Sequence, residues 1–239
     1  MPRPVTLSVL ADLAEDQWGL FTRRQAEATG MAWTTLNRLA TGDAVERIAH
    51  GVYRMRGAPS VDHLDLRAAW LQLAPDVAAW DRTPRMGVVS HRSAAAVYGL
   101  GHLPTDVHEF TLPVRRQSRR PDVRLHRAHL DDGDCHWRGG LLVTRPARIA
   151  ADLLAERHDL DAVGYVIGDA LRGGHDDPRA VVNALAPLSH RFGLPNHDGL
   201  AITRRLLDRV AAPETLTWLA EASPTGHDTS TPDPPETGP

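Results

Sequence analysis

Three features of the sequence predict an α+β fold. Apolar residues recur at helical spacing in the first 80 residues, around one short β-hairpin. Short β-branched runs, separated by Pro, Gly or Asp, follow in the middle of the chain. Amphipathic segments fill most of the remainder, which predicts a mixed α/β C-terminal domain with a small sheet and late helices.

Three helices are expected near the N-terminus. The first covers Leu7–Trp18, where apolar residues form one face. Thr22 can cap the second helix, and Gly30 provides the positive φ that a tight turn to the next helix needs. Leu36 and Leu39 then fix the third helix to this core.

A β-hairpin is expected directly after the third helix. Its strands are Val45–Ile48 and Val52–Met55, which are rich in β-branched and aromatic residues, and the chain reverses at His50 and Gly51. Two helices joined by a tight turn and followed by such a hairpin are typical of a winged helix-turn-helix, a module that binds DNA. The alternative is a small helical hairpin beside a solvated β-ribbon.

The third helix carries the residues expected to read DNA bases. At about 100° per residue, its polar side chains lie opposite its apolar face. Arg can make two hydrogen bonds to guanine, Asn can make two to adenine, and Thr offers a hydroxyl or a methyl group. We therefore expect base contacts from Thr34, Asn37, Arg38 and Thr41. The residues expected to contact phosphates, which fix register without reading sequence, are Arg23, Arg24, Arg47, His50 and Arg54.

Charge and composition exclude several classes of protein. The net charge of the 239 residues is −3, so DNA binding would depend on locally placed charge rather than on a polycation. Residues 1–57 contain seven Arg and six Asp or Glu, which gives little electrostatic attraction. The chain contains no Lys, which excludes a P-loop, a Schiff-base enzyme and a nuclease core built on acids and a Lys.

The cysteine content and the N-terminus indicate a location. Cys135 is the single cysteine of the chain, which excludes an internal disulfide. The N-terminus has no apolar stretch typical of a signal peptide or a membrane span. We therefore expect a cytoplasmic protein with no membrane partner.

Two domains and a tail are predicted. Residues 1–80 are assigned to the winged helix-turn-helix and a following helix near 64–73, and the boundary is placed near 81–85, where apolar periodicity ends. Residues 81–222 are assigned to the C-terminal α+β domain. Residues 223–239 contain five prolines and no large apolar residue, which is typical of a disordered acidic tail.

The C-terminal domain is expected to open with a short β run and a helix capped by Ser90 and closed at Gly99. The predicted strands are His108–Leu112, Val123–His126 and Leu141–Val143. The predicted helices are Thr144–Leu154, Leu160–Leu171, Val181–Leu188, Leu200–Val210 and Glu214–Ala222.

Six arginines in the loop between the first two of these strands and in and just after the second strand suggest a second basic surface. They alternate with apolar residues in a strand-loop-strand pattern and can follow a phosphate backbone beside the hairpin. The alternative is a solvated hairpin, because arginines this close repel one another unless anions or acids pair with them. The residues are Arg115, Arg116, Arg119, Arg120, Arg124 and Arg127.

The N-terminal module and five later phrases, in this order, resemble one known family. The phrases are SHRSAAAVYGL, HEFTLP, VRRQSRRPDVRLHR, LLVTRPARIAADLL and DALRGG, and the resemblance covers about residues 5–175. They are similar to the actinobacterial AbiEi-type antitoxins of type IV toxin-antitoxin systems, which act in abortive infection and phage defence.

The resemblance implies a transcriptional autorepressor whose winged helix-turn-helix binds inverted repeats in its own promoter. It also implies a C-terminal domain that opposes a nucleotidyltransferase-like toxin, typically without a tight complex between the two proteins. The DNA-contacting residues and the six-arginine surface named above take the nucleic-acid role.

Two other groups of residues suggest different functions. One group of potential metal ligands is close in sequence, but its spacing fits no standard zinc finger and its acids suit a turn: His126, His129, Asp131, Asp132, Asp134, Cys135 and His136. We assign no metal or cofactor, and metal binding by His126, His129, Cys135 and His136 stays open. Ser90 precedes His91, but adjacent residues at a strand-to-helix turn are expected to point apart, so no catalytic residue and no enzyme activity are assigned. The alternatives are a protein-interaction module with degenerate DNA binding and, less favoured, a metal-dependent nuclease or hydrolase.

Overall fold

The computed structural model describes residues 4–223 and shows a mixed α/β protein with two sheets. All but the first residue of the predicted tail lies outside the described residues. None of the helices within residues 4–223 combines the length and the apolarity needed to cross a membrane.

The N-terminal region contains three helices and a three-stranded sheet. Its elements are α1 (Pro4–Glu15), β1 (Leu20–Thr22), α2 (Arg23–Ala28), α3 (Trp33–Thr41), β2 (Val45–Ala49) and β3 (Val52–Met55). The strands are antiparallel in the order β1-β3-β2, so the predicted hairpin gains a third strand. Strand β1 was not predicted, because three buried residues are too short to show a periodicity. A small apolar core holds the helices against this sheet.

The first helix ends earlier than predicted, at Glu15. Trp18 has a φ of 61° and Gly19 a φ of 76°, so the chain turns here and enters β1. The Trp18 ring packs 6.2 Å from the ring of Trp70, and its Nε1 donates to the carbonyl of Gly139 at 3.0 Å. Trp18 therefore joins the N-terminal region to the rest of the chain and does not extend the apolar face of α1.

A five-stranded sheet forms the centre of the remaining chain. The elements before and within it are α4 (Leu64–Leu73), β4 (Val88–Val89), α5 (His91–Tyr98), β5 (His108–Leu112), β6 (Val123–Arg127), β7 (Cys135–Arg138) and β8 (Leu141–Thr144). The strand order is β6-β5-β4-β8-β7, with β5 parallel to β6 and β4 parallel to β8. The other two pairings are antiparallel, and β7 is a strand that the sequence did not indicate.

Five helices follow the sheet, as predicted within a few residues. They are α6 (Pro146–Ala155), α7 (Leu160–Arg172), α8 (Pro178–Leu185), α9 (Gly199–Arg209) and α10 (Thr215–Ala222). Aspartate side chains cap three of them by accepting hydrogen bonds from first-turn N–H groups: Asp159, Asp177 and Asp198.

The larger apolar core spans the predicted domain boundary. It runs from Leu20 and Val52 in the N-terminal sheet, through the fully buried Trp70, to the sheet and late helices. Arg82 lies at the predicted boundary, yet it is only 4% exposed, and its guanidinium covers the Trp70 ring at 4.4 Å. One guanidinium nitrogen of Arg82 also donates to the carbonyl of Leu71 at 2.8 Å, so this segment is packed against α4.

Candidate functional site

The start of α2 has the predicted local structure. The Thr22 side chain accepts a hydrogen bond from the N–H of Gln25, and the Gln25 side chain accepts one from the N–H of Thr22. This reciprocal capping box satisfies two N–H groups that a helix N-terminus leaves without partners. Ala26 is fully buried, and Gly30 has a φ of 85° in the turn before α3. The predicted cap and turn are confirmed.

Helix α3 buries one face and exposes the other. Leu36 and Leu39 are each 1% exposed and belong to the small core. The hydroxyl of Thr41 donates to the carbonyl of Asn37 at 2.9 Å, so it already has an acceptor. At about 100° per residue, Asn37 and Arg38 lie on either side of Thr34 and Thr41 on the exposed face. All four residues predicted to read bases are exposed: Thr34, Asn37, Arg38 and Thr41.

The hairpin places two of the predicted phosphate contacts side by side. Nη2 of Arg47 lies 3.1 Å from Nδ1 of His50, and both side chains are exposed next to the turn at Gly51. Arg54 is different, because it is half-buried and donates from Nη2 to the carbonyl of Ala58 at 3.1 Å. Its guanidinium is held against the chain that follows the hairpin.

Arg23 and Arg24 begin α2 and are exposed. The Nε of Arg23 donates to Oε1 of Glu27 at 2.6 Å, and its guanidinium lies 4.4 Å above the ring of Trp33. Trp33 is 39% exposed and is the first residue of α3. This contact joins the start of α2 to the start of α3 on one surface.

A shallow depression continues that surface toward α4. Its lining residues are Arg23, Arg24, Glu27, His50, Gly51, Gln72 and Pro75. At its edge, Nε2 of Gln72 donates to the carbonyl of His50 at 2.7 Å, and Oε1 of Gln72 accepts a hydrogen bond from Arg120. Contacts therefore connect the start of α3, the hairpin turn and Arg120 along one surface.

Residues 115–127, here called the arginine segment, do not form the solvated hairpin that the sequence left open as the alternative to a phosphate-binding surface. Strands β5 and β6 are parallel neighbours, so residues 113–122 run back along the sheet as a connecting loop. Asp122 pairs with Arg120, and Arg116 donates to the carbonyl of Leu73 at 2.6 Å. These contacts hold the loop against α4, beside the hairpin turn.

The arginines of this segment divide into two groups. Arg116, Arg120 and Arg124 make the internal contacts, the last with Nη1 at 3.6 Å from Oε1 of Glu109. The other group consists of Arg115, Arg119 and Arg127, which are exposed to solvent, as Arg116 and Arg124 also are despite their contacts. Pairing with Asp122 and Glu109 removes part of the mutual repulsion that the spacing of the arginines implies.

The potential metal ligands that are close in sequence do not come together. His129 has an 84% exposed side chain and lies 3.3 Å from Asp131. Cys135 is buried in the larger core, and Nε2 of His136 bonds to the hydroxyl of Tyr98 at 2.8 Å. Of this set, only His126 enters a group of ligand atoms in the part of the chain that the structure describes.

A buried polar cluster forms instead between the sheet and helices α5 and α6. The ring of His91 stacks on that of His126, with centroids 3.6 Å apart and planes inclined by 14°. Nδ1 of His91 lies 3.0 Å from Oγ of Ser90, so the expectation that these neighbours point apart is wrong. His91 has a φ of 52°, which is uncommon for a residue other than glycine, so the backbone at this strand-to-helix turn is not the ordinary one that the expectation assumed. The cluster consists of Ser90, His91, Glu109, Thr111, His126 and Glu156.

Two ionisable groups of the cluster have strongly shifted pKa values. Burial, reinforced by the neighbouring His126, lowers the pKa of His91 from 6.5 to about 3, so this imidazole is neutral at pH 7. Burial alone would raise the pKa of Glu109, but the side chains of His126 and Arg92 outweigh it and lower that pKa to about 2. Sequence reasoning missed the cluster because its members come from α5, β5, β6 and the end of α6.

Comparison with known proteins bears on the N-terminal region. A search of curated proteins found no match. A family model described as transcriptional regulator, AbiEi antitoxin, matches residues 8–56, from α1 to just beyond β3. This segment is therefore similar to the AbiEi-type antitoxin regulators, the family that the sequence resemblance indicated.

Proposed function

We propose that residues 8–56 form a winged helix-turn-helix that binds double-stranded DNA, with α3 in the major groove. The observation that carries this proposal is the exposure of Thr34, Asn37, Arg38 and Thr41 on one helix face whose opposite side is buried. Planar amide and guanidinium groups on such a face match the hydrogen-bonding edges of adenine and guanine. The match to a regulator family over the same residues supports the proposal.

The connected basic surface supplies phosphate contacts in this proposal. Arg23, Arg24, Arg47 and His50 lie beside the depression or at the hairpin, next to the exposed face of α3. Arg54 contributes only after it leaves the carbonyl of Ala58, so we rank it last. Exposed arginines of the arginine segment extend the surface, which offsets the weak charge of residues 1–57.

We further propose that the protein is an autorepressor and antitoxin of a type IV toxin-antitoxin system. The family match and the resemblance of the later phrases support this role. The chain would bind inverted repeats in its own promoter, and residues 81–222 would oppose a nucleotidyltransferase-like toxin without a requirement for stable contact. This role is that of a regulator in the cytoplasm and includes no catalytic step.

DNA binding is tested with the duplex upstream of the protein's own coding sequence. We expect the full chain to retard this duplex in a gel at low salt, and the double variant Arg119→Ala/Arg127→Ala to weaken binding on every sequence. Loss of two phosphate contacts should lower the slope of log affinity against log salt by about 2. No retardation at micromolar protein and low salt would rule out the DNA role.

The antitoxin role is tested separately, in cells. We expect expression of the neighbouring nucleotidyltransferase-like open reading frame to arrest growth, and co-expression of this chain to restore it. A variant with Asn37→Ala and Arg38→Ala should still restore growth when a foreign promoter drives its expression, because α3 serves DNA binding only. Continued arrest in the presence of the wild-type chain would exclude the antitoxin role and leave the DNA role intact.

A further inference from the structure

We propose that His91, His126 and Glu156 form a binding site for one divalent transition-metal ion such as Zn²⁺. One ligand atom from each of the three residues lies within 4.8 Å of the other two. Two neutral imidazoles and one carboxylate are a ligand set that Zn²⁺ uses with a water molecule in the fourth position. The proposal does not depend on DNA binding.

The distances between the ligand atoms are close to those of such a site. Oε1 of Glu156 lies 2.9 Å from Nδ1 of His126 and 3.8 Å from Nε2 of His91. Ligand atoms at bonds of about 2.1 Å in a tetrahedral zinc site are separated by about 3.4 Å. The observed distances lie on either side of that value.

In each imidazole, the ring nitrogen that faces Glu156 is called the inner nitrogen and the other one the outer nitrogen. Each outer nitrogen already has a neighbour that can orient the ring. Nδ1 of His91 lies 3.0 Å from Oγ of Ser90, and Oγ1 of Thr111 is hydrogen-bonded to the same hydroxyl at 2.8 Å. Nε2 of His126 faces Oε1 of the fully buried Glu109 at 3.5 Å. Metal-bound histidines typically donate their second ring N–H to an acceptor of this kind, which fixes the tautomer.

The partners of the outer nitrogens determine whether N–H protons or lone pairs of the two rings face Glu156. When the outer nitrogens carry the protons, the two inner nitrogens present lone pairs toward the Glu156 carboxylate. Lone pairs and a carboxylate oxygen repel one another unless a cation or a proton lies between them. With its proton on the outer nitrogen, the neutral His91 ring offers the lone pair of its inner nitrogen as a ligand.

The charges around the site leave Glu156 available. Arg92 and Arg124 pair with Glu109, and Arg148 pairs with Asp152 and Asp134. Within residues 4–223, the ion-pair partners of Glu156 are all imidazoles: His91, His126 and His158. Among residues 4–223, no guanidinium therefore forms an ion pair with the Glu156 carboxylate.

The site is accessible to solvent from the side of Glu156. The Glu156 side chain is 34% exposed, whereas that of His126 is 12% exposed, so an ion and a water molecule can enter past Glu156.

The two rings must reorient to bind one ion. An imidazole lone pair lies in the ring plane, so two stacked rings cannot both point their lone pairs at one ion. Rotation of either ring about χ2, a broad torsion for histidine, opens the stack. Metal binding should therefore separate the rings.

The test is Zn²⁺ binding to the full chain after removal of metal with a chelator. We expect calorimetric titration at pH 7 to show one equivalent bound, and the melting temperature to rise with free Zn²⁺ by mass action. Glu156→Ala should weaken the affinity at least tenfold and lower the Zn²⁺-dependent rise in melting temperature accordingly. His129→Ala, which removes an exposed histidine outside the site, should change the affinity less than twofold.

Two further measurements keep the proposal falsifiable. Glu156→Gln preserves the shape of the side chain without its charge, so it separates loss of a ligand from loss of folding. Nitrogen-15 NMR of the histidine rings distinguishes a neutral, metal-bound His126 from an imidazolium that holds a proton between Glu109 and Glu156. Absence of stoichiometric Zn²⁺ with an imidazolium signal would overturn the proposal, as would wild-type affinity in both folded Glu156 variants.

Discussion

The exposed polar face of α3 and the buried polar cluster beside α5 and α6 use similar chemical groups for opposite purposes. On α3, Asn37 and Arg38 face solvent, and their hydrogen-bonding capacity is available to a ligand. In the cluster, the fully buried Glu109 is surrounded by side chains that neutralise it. The difference predicts that substitutions on the exposed face of α3 change DNA binding, whereas substitution of the buried Glu109 changes folding.

The largest effect is expected from Glu109→Ala. Removing this carboxylate leaves Arg92, Arg124 and His126 without their shared partner, and breaking a buried ion pair costs about 3–5 kcal/mol. Urea unfolding of the full chain measures the change. Glu27→Ala is the matched control, because its pair with Arg23 is solvent-exposed and worth at most about 1 kcal/mol. Equal losses of unfolding free energy in the two variants would contradict the expected difference between the buried cluster and the exposed surface.

Acid should destabilise the cluster through the same carboxylate. The pKa of Glu109 is lowered to about 2 from 4.5, so the unfolded chain binds its proton first as pH falls. The contribution is fully present above pH 4.5 and is lost as pH falls toward 2. The measurement is the unfolding free energy of the wild type minus that of Glu109→Gln, with a chelator present. We expect this difference to shrink through that window; a constant difference would contradict the assigned shift.

Arg38→Ala is expected to separate binding from stability. It should weaken binding to the cognate site by about 1–3 kcal/mol and relax the preference at one base pair. Arg47→Ala should weaken all sequences alike, because Arg47 lies beside His50 at the hairpin and contacts phosphate in the proposal. Affinity titrations on single-base variants of the site measure both effects. Equal behaviour of the two variants on every sequence would refute the division into reading and positioning residues.

The smallest effect, about 0.5–2 kcal/mol of stability, is expected from Thr22→Ala. Thr22 lies in the proposed DNA-binding module, but it is buried, caps α2 and also donates to the carbonyl of Pro75. Thr22→Ser keeps the hydroxyl and should retain most of the stability in thermal unfolding. A change in DNA affinity without a change in stability would place Thr22 with the exposed face.

The same contrast explains what the sequence could predict. Thr22, Gly30 and the exposed face of α3 depend on spacings of a few residues, so local rules predict them. His91 and His126 meet only because β5 and β6 are parallel and α5 packs beside them. Strand order and tertiary packing carry that information, and no local pattern contains it.

The packing of Trp18 and Arg82 was also beyond local rules. The apolar spacing of Trp18 suggested a helix face, but the turn before β1 directs its ring to Trp70. Arg82 lies in a polar segment where the sequence suggested a domain boundary, yet carbonyl groups at the end of α4 accept its hydrogen bonds. The position of Trp18 depends on a ring that is distant in sequence. The position of Arg82 depends on carbonyl groups that the end of a helix leaves without partners.

The central claim, that α3 reads DNA sequence, is tested most directly by fluorescence anisotropy on two duplexes of equal composition. One carries the upstream repeats and the other is a scrambled version. We predict that the wild-type chain binds the upstream duplex at least about 10³-fold more tightly, a ratio typical of specific recognition. The double variant Asn37→Ala/Arg38→Ala should lose most of this preference while its unfolding free energy stays unchanged. Equal affinity of the wild type for both duplexes, or an undiminished preference in the folded variant, would contradict the claim.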